Sequence, residues 1–121
     1  MNPPCVLFVG RSTLDVLYRL PRLPDENTKD YAEHFQAAPG GPALNAALTH
    51  ALLGGKSMLV SAVGRGPWAA EVRAELDRRQ IALLDLAAGT AYETPLTTVP
   101  VSYTHLPSPR DRQKSRMPSS A

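Results

Sequence analysis

The chain has 121 residues, of which 43% are hydrophobic, enough for the core of one domain and no more. Its single cysteine excludes an internal disulfide and fits a reducing compartment, and no apolar run reaches the roughly 20 residues that a membrane-spanning helix needs. The net charge of +2 belongs to the tail: from Ser102 onward Arg110, Arg112, Lys114 and Arg116 stand against Asp111, a balance of +3, which leaves −1 for residues 1–101 and no charge argument for nucleic-acid binding.

The N-terminus, MNPPCVLFVG, lacks a basic region and leads directly into an apolar run, so no signal peptide is expected and the reading is a cytoplasmic protein. Cys5 to Val9 (CVLFV), closed by Gly10, predicts a central parallel strand in which Cys5 is a buried structural thiol. Asp15 follows in RSTLDVLYRL; on its own it reads as a turn residue. Pro21 and Pro24 bracket a polar connector, PRLPDENTKD. Tyr31 to Ala38 (YAEHFQAA) has no decisive period, and propensity alone permits a short helix there.

The most informative stretch runs from Pro39 to Gly64, PGGPALNAALTHALLGGKSMLVSAVG. Gly40 and Gly41 end an extended segment, and Pro42 suits the first position of a helix because its fixed φ is already helical and its missing N–H has no partner to lose there. Leu44, Leu48, Ala51 and Leu52 recur at the spacing of a core-facing helical stripe, and Gly54 and Gly55 stop the helix. Ser57 to Val63 predicts a buried strand. Asn45 is the odd member, a polar amide in the first turn of an otherwise apolar helix.

Gly40-Gly41, Asn45, Ala47, Gly54 and Gly64 at these spacings resemble the N-terminal signature of the PfkB family, the ribokinase-like carbohydrate kinases. The resemblance implies an α/β ribokinase-like fold, a partial parallel sheet with flanking helices plus a small β-sheet lid, with the C-terminal part of the fold missing. It implies that Gly40, Gly41 and Asn45 line the sugar site and that Asp15, 25 residues before Gly40, binds sugar hydroxyls. It also makes Tyr31–Ala38 a strand of the lid, with His34 and Phe35 facing substrate or a partner subunit. The lid strands are placed at about 15–20, 28–38 and 95–101.

Beyond Gly64, Pro67 opens a second helix with Trp68, Val72 and Leu76 on one face. Glu71, Glu75 and Asp77 against Arg73, Arg78 and Arg79 read as its solvated face, acids early and bases late. Family members commonly carry an aspartate and a glycine in this loop, and here Gly66 and Ala69 stand where those would be expected, a departure from the ribokinase core group. Ile81 to Leu86 predicts a third buried strand, and Pro95 to Val101 a return to the lid, with Pro100 marking an edge. The remaining residues, 102–121, hold three prolines, five serines and clustered basic residues with no hydrophobic period, so they predict a disordered tail. This tail resembles a translated sequencing-adapter read-through; the alternative is a natural basic tail.

Phosphoryl transfer to an alcohol needs an oriented hydroxyl, a base, a nucleotide with its metal, and donors for the developing charge. Asp15 can accept from two hydroxyls and Asn45 can both donate and accept, so the pair suits a vicinal diol. Gly40 and Gly41 let backbone N–H groups reach a ligand. The GAGD-type motif that carries the family's catalytic aspartate does not occur, so no catalytic residue is assigned. ATP and Mg2+ are implied for the full-length parent and not for this fragment. Gly54-Gly55-Lys56-Ser57 is excluded as a phosphate-binding loop, because His50 holds the place of its first glycine and it follows a helix instead of opening one. His34, His50 and His105 lack metal-ligand spacing, and no metal site is expected. The reading is a fragment of an ATP-dependent sugar kinase acting on a small sugar, without nucleic-acid or membrane partners. The alternatives are a nucleoside kinase fragment of the same superfamily and a non-catalytic module that forms a homodimer through the lid.

Overall fold

The computed structural model describes residues 2–102. The residues assigned to an adapter-like or disordered tail, from Tyr103 onward, lie outside the described residues. The elements in chain order are β1 (Cys5–Val9), β2 (Thr13–Leu20), β3 (His34–Gly40), α1 (Pro42–Leu52), β4 (Lys56–Ser61), α2 (Pro67–Arg78), β5 (Ala82–Asp85) and β6 (Leu96–Ser102). They form two three-stranded sheets, one in the order β1-β4-β5 and one in the order β3-β2-β6.

The first sheet is wholly parallel: Val6 pairs with Ser57 and Phe8 with Leu59 on one side of β4, and Leu59 with Leu83 on the other. Both crossovers are long, as parallel pairing requires: β1 reaches β4 through β2, β3 and α1, and β4 reaches β5 through α2. The helices cover one face. Leu59 and Val63 pack there against Ala43, Leu44 and Ala47 of α1 and against Ala69, Val72 and Leu76 of α2, with Ile81 closing the cluster. Each fully buried leucine contributes on the order of 2 kcal/mol. The opposite face carries Leu7, Val9, Leu84 and Leu86, all exposed.

The sequence expectations meet several corrections here. The strand at Cys5–Val9 is an edge strand of the described sheet, not a central one, because β4 takes the middle. Cys5 is exposed for the same reason: α1 covers only one face of β1. In α1 the buried stripe is Ala43, Leu44 and Ala47, with Leu48 and Ala51 beside it. Leu52 is exposed, since the helical turn carries it round to the side opposite Ala43 while its neighbour Ala51 still meets the core. In α2 the buried residues are Ala69, Val72 and Leu76, while Trp68 stays 39% exposed. Its first turn holds no acid, so the early-acid pattern fails.

Gly54 and Gly55 do end α1. Their N–H groups donate to the Ala51 and His50 carbonyls, and Gly54 takes φ 89°, the left-handed conformation favoured after a helix. Ser57 then ties strand to helix: its hydroxyl donates to the Ala47 carbonyl and accepts from His50 Nδ1 at 2.9 Å.

The second sheet mixes an antiparallel pair, β2 with β3, and a parallel pair, β2 with β6. The ambiguous stretch is a strand, but it starts at His34, later than the expected 28. Residues 25–28 instead form a turn held by the Thr28 N–H and hydroxyl on the Asp25 carbonyl, with Asn27 at φ 59°. β2 starts at Thr13, earlier than the expected 15, and β6 is an edge strand, where Pro100 withholds no donor from a neighbour.

Candidate functional site

Asp15 and Gly40 meet through the register of β2 and β3. Asp15 pairs with Ala38, so Gly40, two residues further along β3, lies on the same face as a diagonal neighbour. Gly40 has no side chain, and the Asp15 carboxylate occupies the place where one would be: a Cβ there would collide with Asp15 Oδ2. Thr13, one step back on the same face of β2, donates its hydroxyl to Asp15 Oδ1 at 2.7 Å. The carboxylate is therefore held at one oxygen and half-buried, with its second oxygen over the glycine backbone.

Gly41 caps α1. It adopts φ 98° and ψ 150°, a conformation open essentially to glycine alone, and a Cβ would lie 2.5 Å from the Arg11 carbonyl oxygen. The two glycines thus have separate duties. Gly40 makes room for Asp15, and Gly41 lets the chain turn into α1 against the β1–β2 loop. Both duties are met within the protein, a structural need that the sequence reading, which had the glycines approach a ligand, did not contain.

Asn45 sits one turn into α1, where its N–H donates to the Gly41 carbonyl. Its side chain is exposed and makes no hydrogen bond among the described residues. The structure thus brings Asp15 and Gly40 into contact, places Gly41 beside them, and carries Asn45 on the first turn that Gly41 starts. The cavity of about 320 Å³ at the C-terminal ends of β1, β4 and β5 is lined by Arg11, Ser12, Ser61 and Tyr92 among others, and none of the four expected site residues lines it.

Sequence reasoning missed three supports. Thr13 orients Asp15, and their spacing of two residues on one strand is the signal that places them on the same face. Ser12, fully buried, donates to Ser61 at 2.8 Å and pins the β1–β2 loop to β4. Asp85, the lone acid in an apolar strand, accepts from the N–H groups of Val63, Gly64 and Ala87 and from Arg73. Burial raises its pKa, but those four donors outweigh burial and bring it down to about 2. Arg73, expected on a solvated face, also donates to the Gly64 carbonyl. This clamp fixes the β4–α2 loop, and Thr94 carries the constraint onward by donating to the Val63 carbonyl.

The profile of the pfkB family of carbohydrate kinases matches residues 5–94. The chain belongs to that family. The match covers both sheets up to the approach to β6, including Asp15, Gly40, Gly41 and Asn45. Among solved structures, a protein of Agrobacterium tumefaciens provisionally designated a ribokinase is 25% identical, with a TM-score of 0.73 over 84% of this chain and 33% of its own. A nucleoside kinase of Methanocaldococcus jannaschii, an archaeal member of the ribokinase family, is 26% identical, with a TM-score of 0.67 over 81% of this chain and 33% of its own. Ribokinase from Giardia lamblia, at 16% identity and a TM-score of 0.73 over 84% of this chain and 33% of its own, shares the fold. No curated protein sequence matches the chain. The pfkB chain therefore has the α/β ribokinase-like fold, a parallel sheet with flanking helices, and spans about one third of the length of these structures. No helix among the described residues is long and apolar enough to cross a membrane.

Proposed function

We propose that this chain carries part of the sugar site of an ATP-dependent carbohydrate kinase, with Asp15 and Asn45 holding a pair of hydroxyls on the substrate. The observation that carries the reading is the Asp15 carboxylate over Gly40 at the start of α1, inside the stretch that matches the family. Thr13 holds one carboxylate oxygen, so the other is presented in a set direction, and a positioned acceptor suits a sugar hydroxyl. Asn45 offers a donor and an acceptor from a rigid helical turn.

The nucleotide and magnesium that the family implies are assigned to the full-length parent and not to the described residues. No group of three or more His, Cys, Asp or Glu side chains gathers among them, and Lys56-Ser57 follows a helix end. No step of phosphoryl transfer is routed through them. The catalytic base and the nucleotide site are assigned to the two thirds of the relatives' length that this chain does not span, and this fragment alone is read as inactive.

A nucleoside acceptor is the second reading, favoured by the 26% identity to the Methanocaldococcus jannaschii nucleoside kinase. The second sheet is read as the lid. Its exposed Phe35 and Leu17 are the surface that the homodimer alternative would use.

The test is Asp15→Ala with sugar and nucleoside binding measured calorimetrically on the full chain. The expected loss is about 1.5–3 kcal/mol, the range of a hydrogen bond to a charged group. Unchanged affinity for every ligand that binds would remove Asp15 from the site.

A further inference from the structure

The cavity at the strand ends has a chemistry of its own. It is lined by Val9 at the end of β1, Val60 and Ser61 at the end of β4 and Leu86 just past β5, and the crevice outside the carboxyl ends of parallel strands is where open α/β sheets bind ligands. Its walls are apolar. Its polar side chains are those of Arg11, Ser12, Ser61 and Tyr92: Ser12 donates to Ser61, and Arg11, Tyr92 and the Ser61 hydroxyl, which has no acceptor for its own proton among the described hydrogen bonds, are left able to donate. Among the described residues no aspartate or glutamate lines it. Arg11 is exposed, and neither it nor the Tyr92 hydroxyl has a hydrogen-bond or ion-pair partner among the described residues. A cation and two neutral donors around about 320 Å³ without a counter-charge suit an anion on a carbon skeleton.

The cavity also adjoins the proposed sugar site. The Arg11 carbonyl packs on Gly41, and the Asp15 carboxylate packs on the preceding Gly40. Arg11, which lines the cavity, and Asp15, on β2, thus both border the di-glycine, Arg11 through its backbone at Gly41 and Asp15 through its carboxylate at Gly40. We infer that Arg11 is a specificity-determining residue that selects sugars bearing an anionic group, a carboxylate or a phosphoryl, with Tyr92 and Ser61 completing the anion's contacts. This rests on the sugar-site reading of Asp15. The hydroxyls of the ligand fall to Asp15 and Asn45, and its acidic end to Arg11.

The experiment uses the full chain and matched pairs of ligands: glucuronate with glucose, galacturonate with galactose, and ribose 5-phosphate with ribose. The readout is the ratio of the two affinities within a pair, measured by calorimetry for the wild type, Arg11→Gln and Arg11→Lys. At least one pair should favour the anion by about tenfold or more, the factor expected of one charge-assisted contact. Arg11→Gln should bring that ratio close to one, and Arg11→Lys should keep part of it. A ratio near one in the wild type, or one unaltered in Arg11→Gln, overturns the inference. ATP and inorganic phosphate are titrated in parallel. If Arg11→Gln weakens those while the sugar pairs show no preference, the cation serves a nucleotide phosphate and the sugar-class inference is wrong. Asp15→Ala separates the two layers: loss of both members of a pair supports the sugar site itself, whereas retention of both overturns that site and this inference with it. Should Arg11→Gln fail to fold, Tyr92→Phe provides the same ratio test from the other side of the cavity.

Discussion

Arg73 Nη2 lies 2.6 Å from Asp85 Oδ2 and, through the same nitrogen, 2.7 Å from the Gly64 carbonyl, so one side chain of α2 ties the end of β5 to the loop that leaves β4. Asp85 is 5% exposed and Arg73 is 42% exposed, which makes the carboxylate the member whose loss is costly. Its three backbone donors have no other acceptor in place.

Asp85 gives stability a pH dependence with a definite sign. Its folded pKa is lowered from 3.8 to about 2, so its contribution is fully present above pH 3.8 and is lost as pH falls through about 2. A shift of that size corresponds to about 2 kcal/mol. Chemical denaturation of the wild type should lose about that much between neutral pH and pH 2 through this group. Asp85→Asn should be weaker by about 2 kcal/mol at pH 7 and should have lost this part of the acid dependence. A variant as stable as the wild type at pH 7 would show the clamp to be idle.

Gly40→Ala and Gly41→Ala should separate site from fold. At Gly40 the obstacle is the end of the Asp15 side chain, which can swing away, so the expected stability loss is under about 1 kcal/mol while sugar affinity falls as in Asp15→Ala. At Gly41 the obstacle is backbone and φ is 98°, so about 1–3 kcal/mol of strain is expected and the start of α1 should fray. Thermal melts paired with binding isotherms read both. Equal stability losses in the two variants would contradict the division of duties.

Leu59 is fully buried between the two helices, and Leu59→Ala should cost about 2–5 kcal/mol by denaturant titration. Leu53, 83% exposed past the end of α1, provides the contrast: Leu53→Ala should stay within about 0.5 kcal/mol. A small effect at Leu59 would place the core elsewhere.

The face of the first sheet away from the helices should govern solution behaviour. Leu7, Val9, Leu84 and Leu86 are 51–65% exposed there, and β1 and β5 are the edge strands of the sheet among the described residues. Aligned edges and apolar faces favour association. Leu84→Lys combined with Leu86→Lys should raise the monomer fraction in sedimentation without lowering the melting temperature of what remains folded. Unchanged self-association would move the cause to the second sheet, where Phe35 is 65% exposed.

The sequence by itself determined the local elements and the family, because these rest on short-range chemistry. Proline at N1, glycine at the helix ends and unbroken apolar runs place α1, α2, β1, β4 and β5 within a few residues, since each signal acts on its own backbone. Asp15, Gly40, Gly41 and Asn45 were legible as a set only through their spacing in a known signature. What they do to one another was not. Only the register of β2 on β3 puts Asp15 over Gly40, and register is set between two strands, here joining residues 25 apart in the chain. Tertiary structure likewise decided between helix and strand at His34–Gly40, where propensity was divided and pairing with β2 settled the matter. It exposed Cys5 and Leu52, whose apolar settings in sequence say nothing about which face of a sheet a helix will cover or which side of the helix will meet it. And it turned Asp85 from an anomaly in an apolar strand into the acceptor for four donors, because the groups that satisfy a buried carboxylate came from three separate segments of the chain.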